Sequence, residues 1–164
     1  MLRLGLSNRS DIEKAVWHGT AKSDPKLIYE DEQDGFDMTF SNSGMWGRGL
    51  YFAENASYSV GLRYSGDYSH DCGDGTHSVM LVKLLEGESK HMPSDRTIKR
   101  PPAKEGTSRR YNTVTGETCN SKVYIVYENG PYPPPSPLIA LYNPFCAIRI
   151  GIVHIYFLCV SIRI

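Results

Sequence analysis

From Gly44 to Tyr64 the chain reads GMWGRGLYFAENASYSVGLRY, and His18-Gly19-Thr20 stands alone upstream of it. The first half of the longer stretch is rich in small residues that expose backbone. The second carries aromatic and hydroxyl side chains at Tyr51, Ser59 and Tyr64. These residue types suit holding and orienting a ligand rather than attacking it. Glycine permits close approach to the backbone, a serine hydroxyl can hydrogen-bond an amide, and a flat aromatic face stacks on a ring without needing charge. No serine or cysteine stands in a recognisable nucleophile elbow, and no Gly-x-Gly-x-x-Gly follows a strand as a Rossmann fold requires. A reaction at such a set would draw its acceleration from positioning and electrostatics. Each member alone is equally an ordinary residue, and Phe52, facing away from Tyr51 on a strand, reads as core.

The elements that must position these residues can be read around them. Asp24 to Tyr29 suits a brief helix or turn, with Pro25 tolerated after Asp24 as a cap. Phe36 to Phe40 (FDMTF) alternates as a strand would. SNSGMWGRG is a loop, its glycines supplying turn conformations. Leu50 to Ala53 is a short strand, and Asn55 to Tyr64 fits a helix opened by Asn55. His77 to Leu85 (HSVMLVKLL) is the strongest strand and Lys122 to Tyr127 (KVYIVY) a second. Ser89 to Tyr111, polar, basic and proline-bearing, reads as a long surface loop. No internal repeat is visible.

At 164 residues one domain is expected, and 18 basic against 18 acidic side chains give no net charge. That balance indicates no nucleic-acid partner. A 40% apolar fraction and eleven tyrosines argue for a folded body. Cys72, Cys119, Cys146 and Cys159 are scattered without zinc spacing, so free thiols, no metal and an intracellular site, cytoplasmic or nuclear, are expected. His70 and His77 flank Cys72, but Asp-Cys-Gly-Asp-Gly reads as a polar turn.

Composition changes after Tyr132. Pro131 to Pro137 holds five of the ten prolines, which no central strand can run through. Phe145 to Ile164 is almost wholly apolar, yet its uninterrupted runs are too short for an ordinary membrane span. A buried strand pair or an unrelated tail is the expectation, with membrane association of that tail left open. The chain therefore divides into residues 1–132 and a segment, 133–164, of doubtful relation to the domain.

The ordered set resembles the catalytic domain of the poly(ADP-ribose) polymerase-like ADP-ribosyltransferases, in its tankyrase and mono-ADP-ribosyltransferase branches, over roughly Val16 to Tyr132. The resemblance implies an α+β fold with two small, mostly antiparallel sheets and few helices around a cleft for NAD, the co-substrate. It implies that His18 bonds the adenosine ribose and that the Gly19 backbone bonds the nicotinamide carboxamide. Tyr51 would wall the nicotinamide pocket, and Ser59 would bond the amide. The stacking tyrosine falls at Leu62 by spacing, and at Tyr64 if two residues are inserted. Tyr64 is preferred for its aromatic face, whereas Tyr58, beside Ser59 on a helix, should point elsewhere. His18 and Tyr51 are the residues the resemblance makes catalytic.

Two departures follow. Only seventeen residues precede His18, where such domains carry a strand and a long helix, so the domain reads as shortened there. A glutamate expected in a Tyr-Pro-Glu-Tyr-Leu-Ile-like strand is replaced in Tyr132-Pro133-Pro134-Pro135-Ser136-Pro137-Leu138-Ile139 by Pro134. Glu128, in a turn, is a poor substitute. Proline cannot accept the ribose hydrogen bond, so the implied activity is mono-ADP-ribosylation of protein acceptors rather than polymer synthesis. The alternatives are an inactive module that binds NAD or ADP-ribose, and an incomplete gene product.

Overall fold

The computed structural model describes residues 13–29, 36–61, 68–74 and 76–127, together with the backbone of three strands at 147–150, 153–156 and 159–163. Its centre is a ten-residue strand, β6 (Thr76–Leu85), whose apolar run is long enough to carry neighbours on both edges. Along one edge runs β1 (Glu13–His18), antiparallel, with Trp17 opposite Leu81 and His18 opposite Met80. The two-residue β5 (His70–Asp71) continues that edge beside His77 and Ser78. β4 (Leu50–Ala53) follows β1 through the pair Trp17 and Ala53. Then come β9 (Ser121–Val126), β8 (Thr113–Thr118) and β7 (Ser89–His91), the last parallel to β8. On the far edge of β6 lie β11 (Val153–Tyr156) and β12 (Cys159–Arg163), and β10 (Ala147–Ile150) pairs with β11. These ten strands form one sheet. A separate two-stranded ribbon joins β2 (Ser43–Gly44) to β3 (Gly47–Arg48).

Alternation places a core on each face of the central strands. Leu50 and Phe52 of β4 and Tyr124 and Val126 of β9 join Val16, Phe36, Met80, Val82 and Leu84 in one cluster. The intervening Ala53, Val123 and Ile125 join Trp46, Val114 and Tyr127 in the other, where Tyr51 packs at the margin. Helix is scarce: α1 (Lys26–Tyr29), α2 (Ala56–Val60) and a 3-10 turn at Met38–Phe40. The fold is thus α+β with a mostly antiparallel sheet, as the resemblance implies.

Three local readings differ. Phe36 to Phe40 is not a strand: the Asp37 carboxylate accepts the Thr39 N–H at 2.7 Å and caps the 3-10 turn. The loop over 89–111 begins with a parallel strand, β7. β8 (TVTGET) goes unrecognised because three threonines and a glutamate look solvated, yet Thr113 and Thr115 are buried. The Thr113 hydroxyl donates to the Glu86 carbonyl at 2.8 Å, which satisfies its polar atom in the core.

Candidate functional site

A cavity of about 360 Å³ opens where the end of β1, the β2–β3 ribbon, β4 and α2 converge. His18, Gly19, Tyr51 and Ser59 all line it, although they come from three separate elements. Tyr64, with its spacing alternative Leu62, lies outside the described residues, as do Glu128 and Pro134.

His18 is placed by the last pairing of β1 and by the neighbouring strand, whose Tyr51 carbonyl stands 2.8 Å from His18 Nδ1. A carbonyl only accepts, so Nδ1 carries the proton and Nε2 is left as the acceptor of a neutral imidazole. Phe36 meets the ring edge-on at 4.9 Å and Phe52 lies at 5.2 Å. Burial among these rings lowers the His18 pKa from its ordinary 6.5, against a smaller opposing effect of the Tyr51 carbonyl. The unfolded chain therefore takes up a proton near pH 6.5 that the folded chain refuses. Stability rises with pH across that point and falls as pH drops below it, by at most about 1.4 kcal/mol per pH unit. Urea melts at pH 7.5 and 5.5 should show this loss, and His18→Gln should remove His18's share of the slope. An unchanged slope would place the ring in water.

Gly19 follows directly. A Cβ there would sit 2.1 Å from the Tyr68 carbonyl oxygen and 2.8 Å from that of Ser59, so no larger residue fits this backbone. The Ala21 N–H donates to the same Tyr68 carbonyl at 2.8 Å and ties the turn after β1 to the chain entering β5. Ser59 is buried in the short helix α2, which Asn55 opens. Asn55 does not cap with its side chain; its amide donates to Asn120 O at 2.7 Å and anchors the helix start to the β8–β9 turn. Gly61, left-handed at φ 74°, ends the helix.

Tyr51 presents its ring rather than its hydroxyl. The hydroxyl donates to Gly47 O at 2.7 Å and accepts from the Trp46 N–H at 2.9 Å, which fixes the ribbon turn against β4. Burial raises its pKa, only partly offset by the backbones of Trp46 and Gly44 and by the Arg96 charge, and it stays a neutral phenol. Tyr58, expected to point elsewhere, lines the cavity and stacks on Tyr68 with centroids 5.6 Å apart and planes 19° off parallel. A five-residue helix beside an extended chain leaves both neighbours, 58 and 59, facing the same hollow. Burial, then the Tyr68 charge, raises the Tyr58 pKa as well.

Two contributors escaped the sequence reading. Tyr68 lies beyond residues 62–67 and has no local pattern linking it to His18. Arg48 donates from Nε to Ser41 O at 3.2 Å, and from one terminal nitrogen to Met38 O at 3.0 Å and Thr39 O at 3.1 Å. This planar fork clips residues 38–41, which lead into the cavity wall at 41–45, to β3, a geometry that a lysine cannot reproduce. Arg48→Ala should speed amide exchange at Ser41, whose N–H donates to Met38 O, about tenfold. Arg48→Lys should not restore protection, and unchanged exchange in both would contradict the clip.

Among the described lining residues there is no carboxylate. No group of three His, Cys, Asp or Glu is placed to hold a metal ion, and no helix is long and apolar enough to cross a membrane, among the described residues. The cavity can hold a flat, amide-bearing ring against tyrosines, and offers a histidine acceptor and a serine hydroxyl.

On this α+β frame the hollow gathers His18, Gly19, Tyr51 and Ser59, and over 57–83% of its length the chain is similar to poly(ADP-ribose) polymerase-like ADP-ribosyltransferases. It is 36% identical over 94 residues to a probable poly(ADP-ribose) polymerase of Dictyostelium discoideum, covering 57% of this chain and 26% of that protein. The protein mono-ADP-ribosyltransferase PARP14 of Homo sapiens is 29% identical over 126 residues, 74% of this chain and 6% of its own length. The probable inactive poly(ADP-ribose) polymerase SRO5 of Arabidopsis thaliana is 28% identical over 138 residues, covering 83% and 41%. The chain thus spans less than half the length of the curated relatives it matches. No protein-family model matches it.

Proposed function

We propose that this cavity, within residues 1–132, binds NAD and that the chain transfers one ADP-ribosyl unit to a protein side chain in an intracellular compartment, releasing nicotinamide. One observation carries the proposal: His18, Gly19, Tyr51 and Ser59 line a single hollow. The donor set fits the ligand's parts, and a volume of about 360 Å³ lies in the range of small-molecule sites.

When bound, the dinucleotide supplies the labile bond between nicotinamide nitrogen and ribose carbon, which breaks with its electron pair on nicotinamide as the acceptor atom bonds the ribose and gives up its proton to solvent. The chain's own part is to hold and orient. His18 Nε2, an acceptor because Nδ1–H is spent on Tyr51 O, takes a hydroxyl proton of the adenosine ribose. The Gly19 backbone and the Ser59 hydroxyl engage the carboxamide. The Tyr51 ring forms one wall, with Tyr64 assigned to the other. Fixed dipoles around the hollow lower the barrier without a nucleophile of the protein's own.

A second reading, an inactive module that binds NAD or ADP-ribose, draws on the substitution of Pro134 for the expected glutamate and on the likeness to a relative named probable inactive. Incubation with NAD labelled in the adenylate separates the two. Label on the chain or on a protein acceptor, with free nicotinamide, supports transfer. A melting temperature raised by NAD without turnover supports the binding module. Neither response would overturn both.

A further inference from the structure

Arg96 is the one Arg or Lys among the described residues lining the cavity, and no role proposed for the site uses it. It sits on a turn held in three ways. The Asp95 carboxylate accepts the Thr97 N–H at 2.9 Å and the Thr97 hydroxyl at 2.6 Å. Trp46 Nε1 donates to Met92 O at 3.1 Å and Pro93 O at 3.0 Å, pinning the chain just before the turn. Ile98 lies so near Gly47 that a Cβ there would meet its carbonyl. The nearest carboxylate in sequence, Asp95, is thus occupied by Thr97, and no hydrogen bond or ion pair engages the Arg96 guanidinium among the described residues. Its field reaches Tyr51 and offsets part of the rise that burial imposes on that phenol.

We infer that Arg96 is the diphosphate-binding residue of this site, its guanidinium pairing with the paired phosphates of a dinucleotide whose nicotinamide end lies against Tyr51. The inference rests on the dinucleotide reading of the cavity. A planar fork of N–H donors matches phosphate oxygens bidentately. His18 cannot share the task, because burial keeps its ring neutral. An exposed guanidinium that lines the hollow can meet an incoming anion and draw it inward.

Calorimetric titration of the full chain with ADP-ribose and, separately, with nicotinamide tests this, in wild type, Arg96→Ala, Arg96→Lys and Arg96→Glu. ADP-ribose carries the diphosphate and nicotinamide does not. Arg96→Ala should weaken ADP-ribose about tenfold or more, Arg96→Glu further, and Arg96→Lys less. Nicotinamide affinity should stay at the wild-type value in all four proteins. The salt dependence of ADP-ribose binding should also flatten in Arg96→Ala. If wild type binds both ligands and Arg96→Ala binds ADP-ribose equally well, or loses nicotinamide in equal measure, the assignment of Arg96 fails alone. A wild-type chain that binds neither ligand overturns the dinucleotide reading and Arg96 with it.

Discussion

Trp46→Ala is expected to lower folding stability by about 3–5 kcal/mol, among the largest losses a single truncation produces. The indole is 1% exposed and packs against Gly116, where even a methyl group would meet its ring. Its Nε1–H serves two carbonyls, Met92 and Pro93. Its own backbone receives the Tyr127 hydroxyl at 2.6 Å and donates to that of Tyr51. One side chain therefore joins the ribbon turn, the turn that carries Arg96, β8 and β9. Its removal leaves a cavity as well as two carbonyls without a donor. Equilibrium denaturation should show a lower midpoint with an unchanged slope. A loss under about 1 kcal/mol would mean that the indole is not packed where it is described. Trp46→Phe should recover part of the packing but neither hydrogen bond.

The second large effect is at Gly19. Ala at this position forces a carbon into contact with two backbone carbonyls, those of Tyr68 and Ser59. Neither is the flexible end of a side chain, so the chain after β1 must part from α2. Overpacking of this kind costs about 1–3 kcal/mol or more, and the displaced backbone is the one assigned to the carboxamide. We expect nicotinamide affinity to fall at least about tenfold, beyond what partial unfolding would explain at a temperature where the variant remains folded. Wild-type binding and wild-type stability in Gly19→Ala would contradict the close approach on which the site's geometry depends.

What could be read from the sequence follows from where the information lies. β6 and β9 are plain in the sequence because Val79–Val82 and Val123–Val126 are compact apolar runs that read as strands without reference to a partner. The quartet His18, Gly19, Tyr51 and Ser59 was legible as ordered residue types, and the hollow collects all four. Tyr58 reads as pointing away because adjacent residues on a helix diverge, whereas α2 ends at Val60 before the left-handed Gly61 and Tyr68 stacks on the Tyr58 ring beside the cavity. β8 was missed because its buried threonines read as solvent-facing until Glu86 is seen across from Thr113. Arg48 and Arg96 illustrate the same limit. An arginine's role depends on what stands within its reach: for Arg48, carbonyls up to ten residues away, and for Arg96, a cavity whose other lining residues come from distant parts of the chain.

The most direct test is a crystal structure of the chain with a non-hydrolysable NAD analogue. The account predicts its carboxamide on the Gly19 backbone and the Ser59 hydroxyl, its ring against Tyr51, and an adenosine ribose hydroxyl on His18 Nε2. An analogue bound on another surface, or in this hollow with its nicotinamide end turned away from those four residues, would contradict it.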